Sequence, residues 1–280
     1  MASVDRDKLI PYMDAYLAFL SDKSRGDVER ALSNNQEDYK RRVAIKASEA
    51  LDCENWNEDE LGKGFIGDNA IKAVQRNQNL IGRFQVTVFS DKVRENLAVS
   101  ERLLFDFYHD HKEQECFDRI CKLIGRKYDL VAYLYFILDP ERYLPLRSSI
   151  FDNIFRKLGI NLQITDRCSW ENYQEFIETI ANVRDVMKDY YKIDDIDLLD
   201  AHSFLWTIKS ENLEVEKEGA DTTNNASTDT SAKVGTVVFH KDYGEGQITK
   251  ITDEKIYVDF NGKKRIFPYP EAFEKEYITL

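Results

Sequence analysis

Apolar positions along this chain follow two different periods, and the change between them falls close to residue 234. Over residues 5–20, Leu9, Met13, Tyr16, Leu17 and Leu20 recur every third or fourth position, which predicts an amphipathic helix with Pro11 confined to its first turn. Residues 27–50 are charged with few apolar positions (Val28, Leu32, Tyr39, Val43) and predict a second, more exposed helix; the Asp-, Asn- and Gly-rich stretch 52–69 then reads as a break. Within 100–125, Leu103, Leu104, Phe107 and Tyr108, then Phe117, Ile120, Cys121 and Ile124, predict two helices separated by HDHKEQE. Tyr128–Leu138 is apolar almost all round, as a buried central helix would be, and stops before Pro140. Ile150, Ile154, Phe155 and Leu158 line a helix that Ser149 would cap and Gly159 would end. Ser169 would cap Trp170–Tyr191, in which Trp170, Tyr173, Phe176, Ile177, Ile180, Val183, Met187 and Tyr190 keep helical spacing; residues 198–208 add a short helix carrying Trp206. The only hint of strand alternation before residue 210 is an ambiguous run at 84–89.

From Val234 the pattern alternates. Residues 236–239, 247–251, Lys255–Phe260 and 264–267 read as four short strands, with Asn261-Gly262 as a type I′ hairpin turn because both central positions need positive φ. A helical turn at 269–276 would follow, and residues 277–280 would close the sheet as a fifth strand. Short strands so closely spaced predict a small SH3-like barrel, a form in which closure removes exposed sheet edges. The strip between the two regions, ENLEVEKEGADTTNNASTDTSAK, holds two large aliphatic residues and no aromatic one, too little to offset the entropy of ordering. The expected organisation is mainly α: a multi-helix domain over 1–210, a flexible acidic linker over 211–233, and a C-terminal β-barrel over 234–280.

Charge refines this division. The formal net charge is −12, of which residues 1–210 carry −7, the strip 211–233 carries −4 and the C-terminal segment −1. An acidic chain disfavours non-specific association with phosphates, so a protein partner is favoured over nucleic acid. Local basic clusters remain at Lys40, Arg41, Arg42 and Lys46; at Lys122, Arg126 and Lys127; and at Lys263, Lys264 and Arg265, each read as a solvated surface. The longest apolar run, near 130–138, is far short of a bilayer span, and the N-terminus has no basic region leading into an apolar one. No membrane partner and a cytoplasmic location are expected. Cys53, Cys116, Cys121 and Cys168 lack metal-binding or CxxC spacing and read as reduced thiols.

Motifs for catalysis are missing from the sequence: no phosphate-binding or dinucleotide glycine signature, no GxSxG, no HExxH. The glycines of 62–69 follow no strand. His109 and His111 are two apart and diverge on a helix, and His202 on an apolar helix reads as a core histidine bonded to backbone. Asp194, Asp195, Asp197 and Asp200 lack the glycine and ligand ladder of a calcium loop and read as a solvated loop and helix cap. The expectation is no cofactor, no metal and no catalytic residue, with scattered carboxylates of a metal-dependent nuclease or hydrolase as an alternative.

Two resemblances point further. VGTVVFHKDYGEGQITKI, with Gly235, Val238, His240, Tyr243, Gly244, Gly246 and Ile248 at the matching positions, resembles the opening of the Tudor-like, SH3-like modules at the C-terminus of UvrD/PcrA-type helicases, and more loosely the polymerase-binding module of CarD-type factors. The segments YFILDPERYLPLRSSIFDNIFRKLGI, CSWENYQEF and LLDAHSFLW are similar to helical accessory domains of bacterial restriction and defence proteins. The resemblances imply a non-enzymatic adaptor docking on a protein partner such as a nuclease, helicase or ATPase, with antiviral defence as a setting and direct DNA or RNA binding as the alternative. The residues expected to make contact are Tyr243, Lys263, Lys264, Arg265 and Tyr269. Gly244 and Gly246 are expected to supply positive φ, His240 to hydrogen-bond the turn, and Phe239, Tyr257 and Phe260 to be core.

Overall fold

A computed structural model describes residues 4–24, 39–210, 213, 234–240, 243–252, 255–260, 262–269, 271–274 and 277–279. The chain divides into two compact units, Met1–Glu216 and Lys217–Leu280. It is mainly helical, with a small four-stranded antiparallel sheet at its C-terminus.

In the first unit the helices are α1 (Arg6–Ser24), α2 (Tyr39–Leu51), α3 (Phe65–Gln75), α4 (Arg83–Glu95), α5 (Leu97–Leu104), α6 (Glu113–Ile124), α7 (Tyr128–Leu138), α8 (Ser148–Leu158), α9 (Trp170–Tyr191) and α10 (Leu198–Ser210). A π-helical turn, Phe105–His109, continues α5. As its sequence predicts, α7 is buried almost throughout and lies in the core. Its Tyr135 ring meets Phe107 at 4.7 Å, Tyr143 at 5.1 Å and Tyr173 at 5.6 Å. Buried phenols need a hydrogen-bond partner, and backbone carbonyls supply it: Tyr108 donates to Leu134, Tyr135 to Glu113 and Tyr173 to Leu144. The Ser169 hydroxyl accepts from the backbone N–H of Asn172 and caps α9, and Gly159 ends α8 in the left-handed region.

Several local expectations fail for identifiable reasons. Pro11 lies inside α1, beyond its first turn, because the helix already begins at Arg6, more than one turn before it. Ser149 does not cap α8; the helix begins at Ser148, whose N–H and hydroxyl both donate to Asp129. Residues 84–89 belong to α4, where the buried stripe is Phe89, Ser90 and Val93 with Val86 packed beside it, and the apparent alternation only leaves Phe84 in solvent. The stretch 52–69 contains two single 3-10 turns and then the start of α3. That start is held from outside the segment: the buried Glu101 carboxylate on α5 accepts from the N–H of Gly62 (2.6 Å) and of Gly67 (2.8 Å). Of the helix expected over 27–50, residues 27–38 lie outside the described residues. So does the expected linker 211–233, apart from Leu213, which packs on the helical core and is tied by its N–H to Ile208 and by its carbonyl to Lys157.

The second unit contains β1 (Val237–His240), β2 (Gly244–Ile251), β3 (Lys255–Phe260) and β4 (Lys263–Pro268), paired antiparallel in that order, then a short helix α11 (Glu271–Glu274). Instead of a fifth strand, the C-terminal segment forms a single bridge from Thr279 to Phe239. Val238, Ile248, Ile256, Val258, Phe260, Ala272 and Ile278 make its core. Gly244 and Gly262 have positive φ, as turn positions require; Asn261 lies outside the described residues. Gly246 does not share this role. A Cβ there would lie 2.5 Å from the Phe260 ring and 2.8 Å from Val258, so the glycine makes room for a cross-strand ring.

Candidate functional site

Strand alternation sorts the expected contact residues. On β4, Lys263, Arg265 and Phe267 lie opposite Phe260, Val258 and Ile256, which are buried; Lys264 and Ile266 lie opposite Asp259 and Tyr257 on the other face. Arg265 and Lys263 are thus on the core side of the sheet at its open margin, and Lys264 is not with them. The Arg265 guanidinium sits 5.0 Å above the Tyr243 ring, which is 45% exposed. Behind it Tyr243 stacks on His240 at 4.4 Å and leans on Phe260 at 5.5 Å, and His240 meets Phe267 at 5.3 Å. Tyr269 is elsewhere, half-buried and edge-on to Phe273 at 6.1 Å. Of the expected core aromatics only Phe260 is buried. Tyr257 is half-buried, with Lys250 5.6 Å from its ring, and Phe239 is 55% exposed because its strand position faces outward.

The geometry makes a layered platform in which a cation lies on a phenol ring and that ring lies on a buried imidazole. Four rings converge, as a cage for a cationic ligand would require, yet Arg265 already covers the Tyr243 face. What remains available is the guanidinium fork with the exposed rim of Tyr243, a combination suited to a carboxylate or phosphate group.

In the helical unit two groups of charged residues are committed to the fold. Two residues of the first basic cluster are engaged by the fold: Lys40 is buried, donating to His202 Nδ1 at 3.0 Å and lying 5.3 Å from the Trp206 ring, while the partly exposed Arg41 grips Asp197 and Asp200. His202 Nε2 donates to the Pro145 carbonyl at 2.7 Å; burial and the neighbouring Lys40 hold its pKa well below the ordinary histidine range. The expected backbone-bonded core histidine is found, with a lysine added. A cavity of about 30 Å³ beside this pair has room for about one water. The acidic run is not simply solvated, for Asp197 and Asp200 each accept the other's backbone N–H and share Arg41. Burial pushes the Asp200 carboxyl up to about 6.

A second network, not anticipated from sequence, centres on Asp106 in the π-helical turn. Arg102, Lys112 and Arg119 all donate to it. Burial pushes this carboxyl up, but the hydrogen bonds from Arg119, Arg102 and Lys112 outweigh it and bring the pKa to about 2. His109 pairs with Asp110 at 3.0 Å and stacks on Phe105. Of the second basic cluster, Lys122 is exposed, Arg126 donates to the Cys168 carbonyl and Lys127 lies 6.0 Å from the Phe84 ring. Among the described residues no group of three or more His, Cys, Asp or Glu is placed to hold a metal ion, and no helix is long and apolar enough to cross a membrane. Neither the family models, the curated proteins nor the solved structures compared with the chain match it.

Proposed function

We propose that this chain is a non-enzymatic adaptor that docks on a protein partner in nucleic-acid transactions, through a C-terminal module of SH3-like, Tudor-like form. The observation that carries this reading is the Arg265–Tyr243 platform, a preorganised cation on an aromatic rim at the margin of a small sheet. The bridge between Thr279 and Phe239 supports the barrel form, since it brings the end of the module beside its first strand. The partner class is a nuclease, helicase or ATPase, in a setting of bacterial defence. The chain's net charge of −12 disfavours a long nucleic-acid backbone, while the nearly neutral C-terminal segment leaves Arg265 able to meet a single carboxylate of a protein partner.

Among the described residues the carboxylates with displaced titration, Asp106, Asp110, Glu113, Asp189, Asp197 and Asp200, are each engaged by an arginine of the chain itself, which supports an adaptor over a hydrolase. The test is capture by the full chain from its source cell, with and without nuclease treatment, in parallel with Arg265→Ala. Recovery of a nucleic-acid enzyme by the parent and its loss with Arg265→Ala is expected. Equal recovery by both, or recovery of no such enzyme, sinks the reading.

Direct nucleic-acid binding is the second reading, favoured by Lys263 on the same face as Arg265 and the stacking rim of Tyr243. It requires affinity that falls steeply with salt. Flat titrations of single- and double-stranded DNA and RNA at about 50 mM salt would remove it.

A further inference from the structure

Two free thiols from distant parts of the helical unit face each other, with Cys121 Sγ 3.6 Å from Cys168 Sγ. Their backbones are fixed by helix ends. Cys121 is the last-turn residue of α6 whose carbonyl accepts the N–H of both Gly125 (2.9 Å) and Arg126 (3.0 Å), with Gly125 in the left-handed region. Cys168 directly precedes Ser169, the cap of α9. The Arg126 side chain then donates to the Cys168 carbonyl at 2.6 Å, so one residue holds both backbone positions. A disulfide needs sulfurs about 2.05 Å apart, an approach of about 1.5 Å from the observed separation.

We propose that Cys121 and Cys168 form a disulfide site oxidised by hydrogen peroxide, joining the end of α6 to the start of α9. A thiolate of the pair attacks one peroxide oxygen; the O–O bond breaks and hydroxide leaves, taking up a proton as water. The sulfur is now a sulfenic acid. The second thiolate attacks that sulfur, the S–O bond breaks, the S–S bond forms and a second water departs. Two thiols are oxidised and one peroxide is reduced, with two waters as the only other product.

The surroundings favour this pair over the other cysteines. The hydrogen bond from Cys168 holds the Cys121 thiol below its ordinary pKa against the opposing effect of burial, and Arg126 adds to the lowering. The same hydrogen bond, with burial, pushes Cys168 up. Burial pushes Cys53 up to about 12 and Cys116 up to about 11, which keeps both as unreactive thiols near neutrality. Cys168 is partly exposed while Cys121 is buried, so the oxidant reaches the pair from the Cys168 side.

The full-length chain, treated with one equivalent of hydrogen peroxide and then alkylated, would be digested with trypsin. The expected product is peptide 120–122 linked to peptide 168–184, two hydrogens lighter than the sum of the free peptides and separated by dithiothreitol. Cys53 and Cys116 should stay fully alkylated. Because the linked residues are 47 positions apart, oxidation should raise the Tm of the helical unit by about 5 °C or more, reversibly. Cys168→Ser should abolish both the linked peptide and the Tm shift. Full alkylation of Cys121 and Cys168 after peroxide overturns the proposal, as does sulfinic acid at either without linkage. A Tm rise that persists in Cys168→Ser overturns it too. The linked-peptide readout uses the parent chain alone and does not depend on how the variant folds.

Discussion

Each of the two units builds an aromatic cluster, one closed within its core and one left open on a side. Tyr135 and Tyr173 are fully buried and their hydroxyls donate to backbone carbonyls, while the neighbouring Tyr143 and Tyr128 donate to the side chains of Glu113 and Asn172, so these rings and hydroxyls are spent on the fold. Around His240 and Tyr243 the cluster is open on one side, and the outermost ring carries an arginine in place of a neighbouring ring. The first arrangement converts aromatic area into stability. The second keeps a charged, oriented surface at the edge of a core too small to bury it. The exposure of that surface follows from where the small core runs out.

Substitutions should separate these uses by size. Tyr173→Ala removes a ring that contacts Tyr135, Tyr143 and Phe176 and leaves the Leu144 carbonyl without its donor. It should destabilise the helical unit by about 3–5 kcal/mol, read as a lowered midpoint in urea at unchanged slope. A loss under about 1 kcal/mol would mean the cluster is not the stability centre described.

In the sheet unit the largest effect should come from a glycine. Gly246→Ala forces a methyl against the buried Phe260 ring and Val258, costing about 3 kcal/mol as overpacking. A small core tolerates that poorly, so the upfield methyl signals of Val258 should disappear while those of the helical unit persist. Retention of a folded sheet unit would show that Phe260 can move aside, and with it Tyr243.

Asp106 should give the next effect, and one that depends on pH. Its folded pKa, about 2, is below the ordinary carboxylate value, so the folded state binds fewer protons than the unfolded state in the window between. Its stabilisation is therefore complete above the ordinary value and is lost as pH falls through about 2. Asp106→Asn should cost about 1 kcal/mol near neutrality, since its arginine and lysine partners are partly exposed and screened by solvent, with the gap from the parent closing in acid. A gap independent of pH would assign the loss to packing, not to the arginine and lysine contacts.

The parts of the fold legible in the sequence are those whose causes are local. The apolar face of α9 and its Ser169 cap, the all-apolar α7 and the alternation of β3 each carry their signal within their own residues. The start of α3 was not legible because its capping carboxylate, Glu101, is 34 positions beyond Gly67. Lys40 looked like one of several solvated cations because the histidine that receives it is 162 positions away. The same limit applies at the candidate site. Tyr243 and Arg265 are both among the expected contact residues, but their pairing, and the separation of Lys264 and Tyr269 from them, depends on the register of β4 against β3. Residue type proposes a surface; register decides its membership.

The smallest expected change in stability is the most informative for function. Tyr243→Ala removes a half-exposed ring and the cation–π contact with Arg265, worth about 0.5–1 kcal/mol at an exposed site. The fold should survive, because Val238, Ile248, Ile256 and Val258 remain buried without it. Partner capture should nevertheless fall by tenfold or about that, since an unanchored arginine must be ordered again at each encounter. Tyr243→Phe keeps the ring beneath the guanidinium and should retain most of the capture. If Tyr243→Ala instead unfolds the sheet unit, the ring belongs to the core and the contrast between the two clusters collapses. If it leaves both stability and capture unchanged, the open cluster is only a surface, and the docking site must be sought on the opposite face, where Phe239 and Ile266 stand exposed.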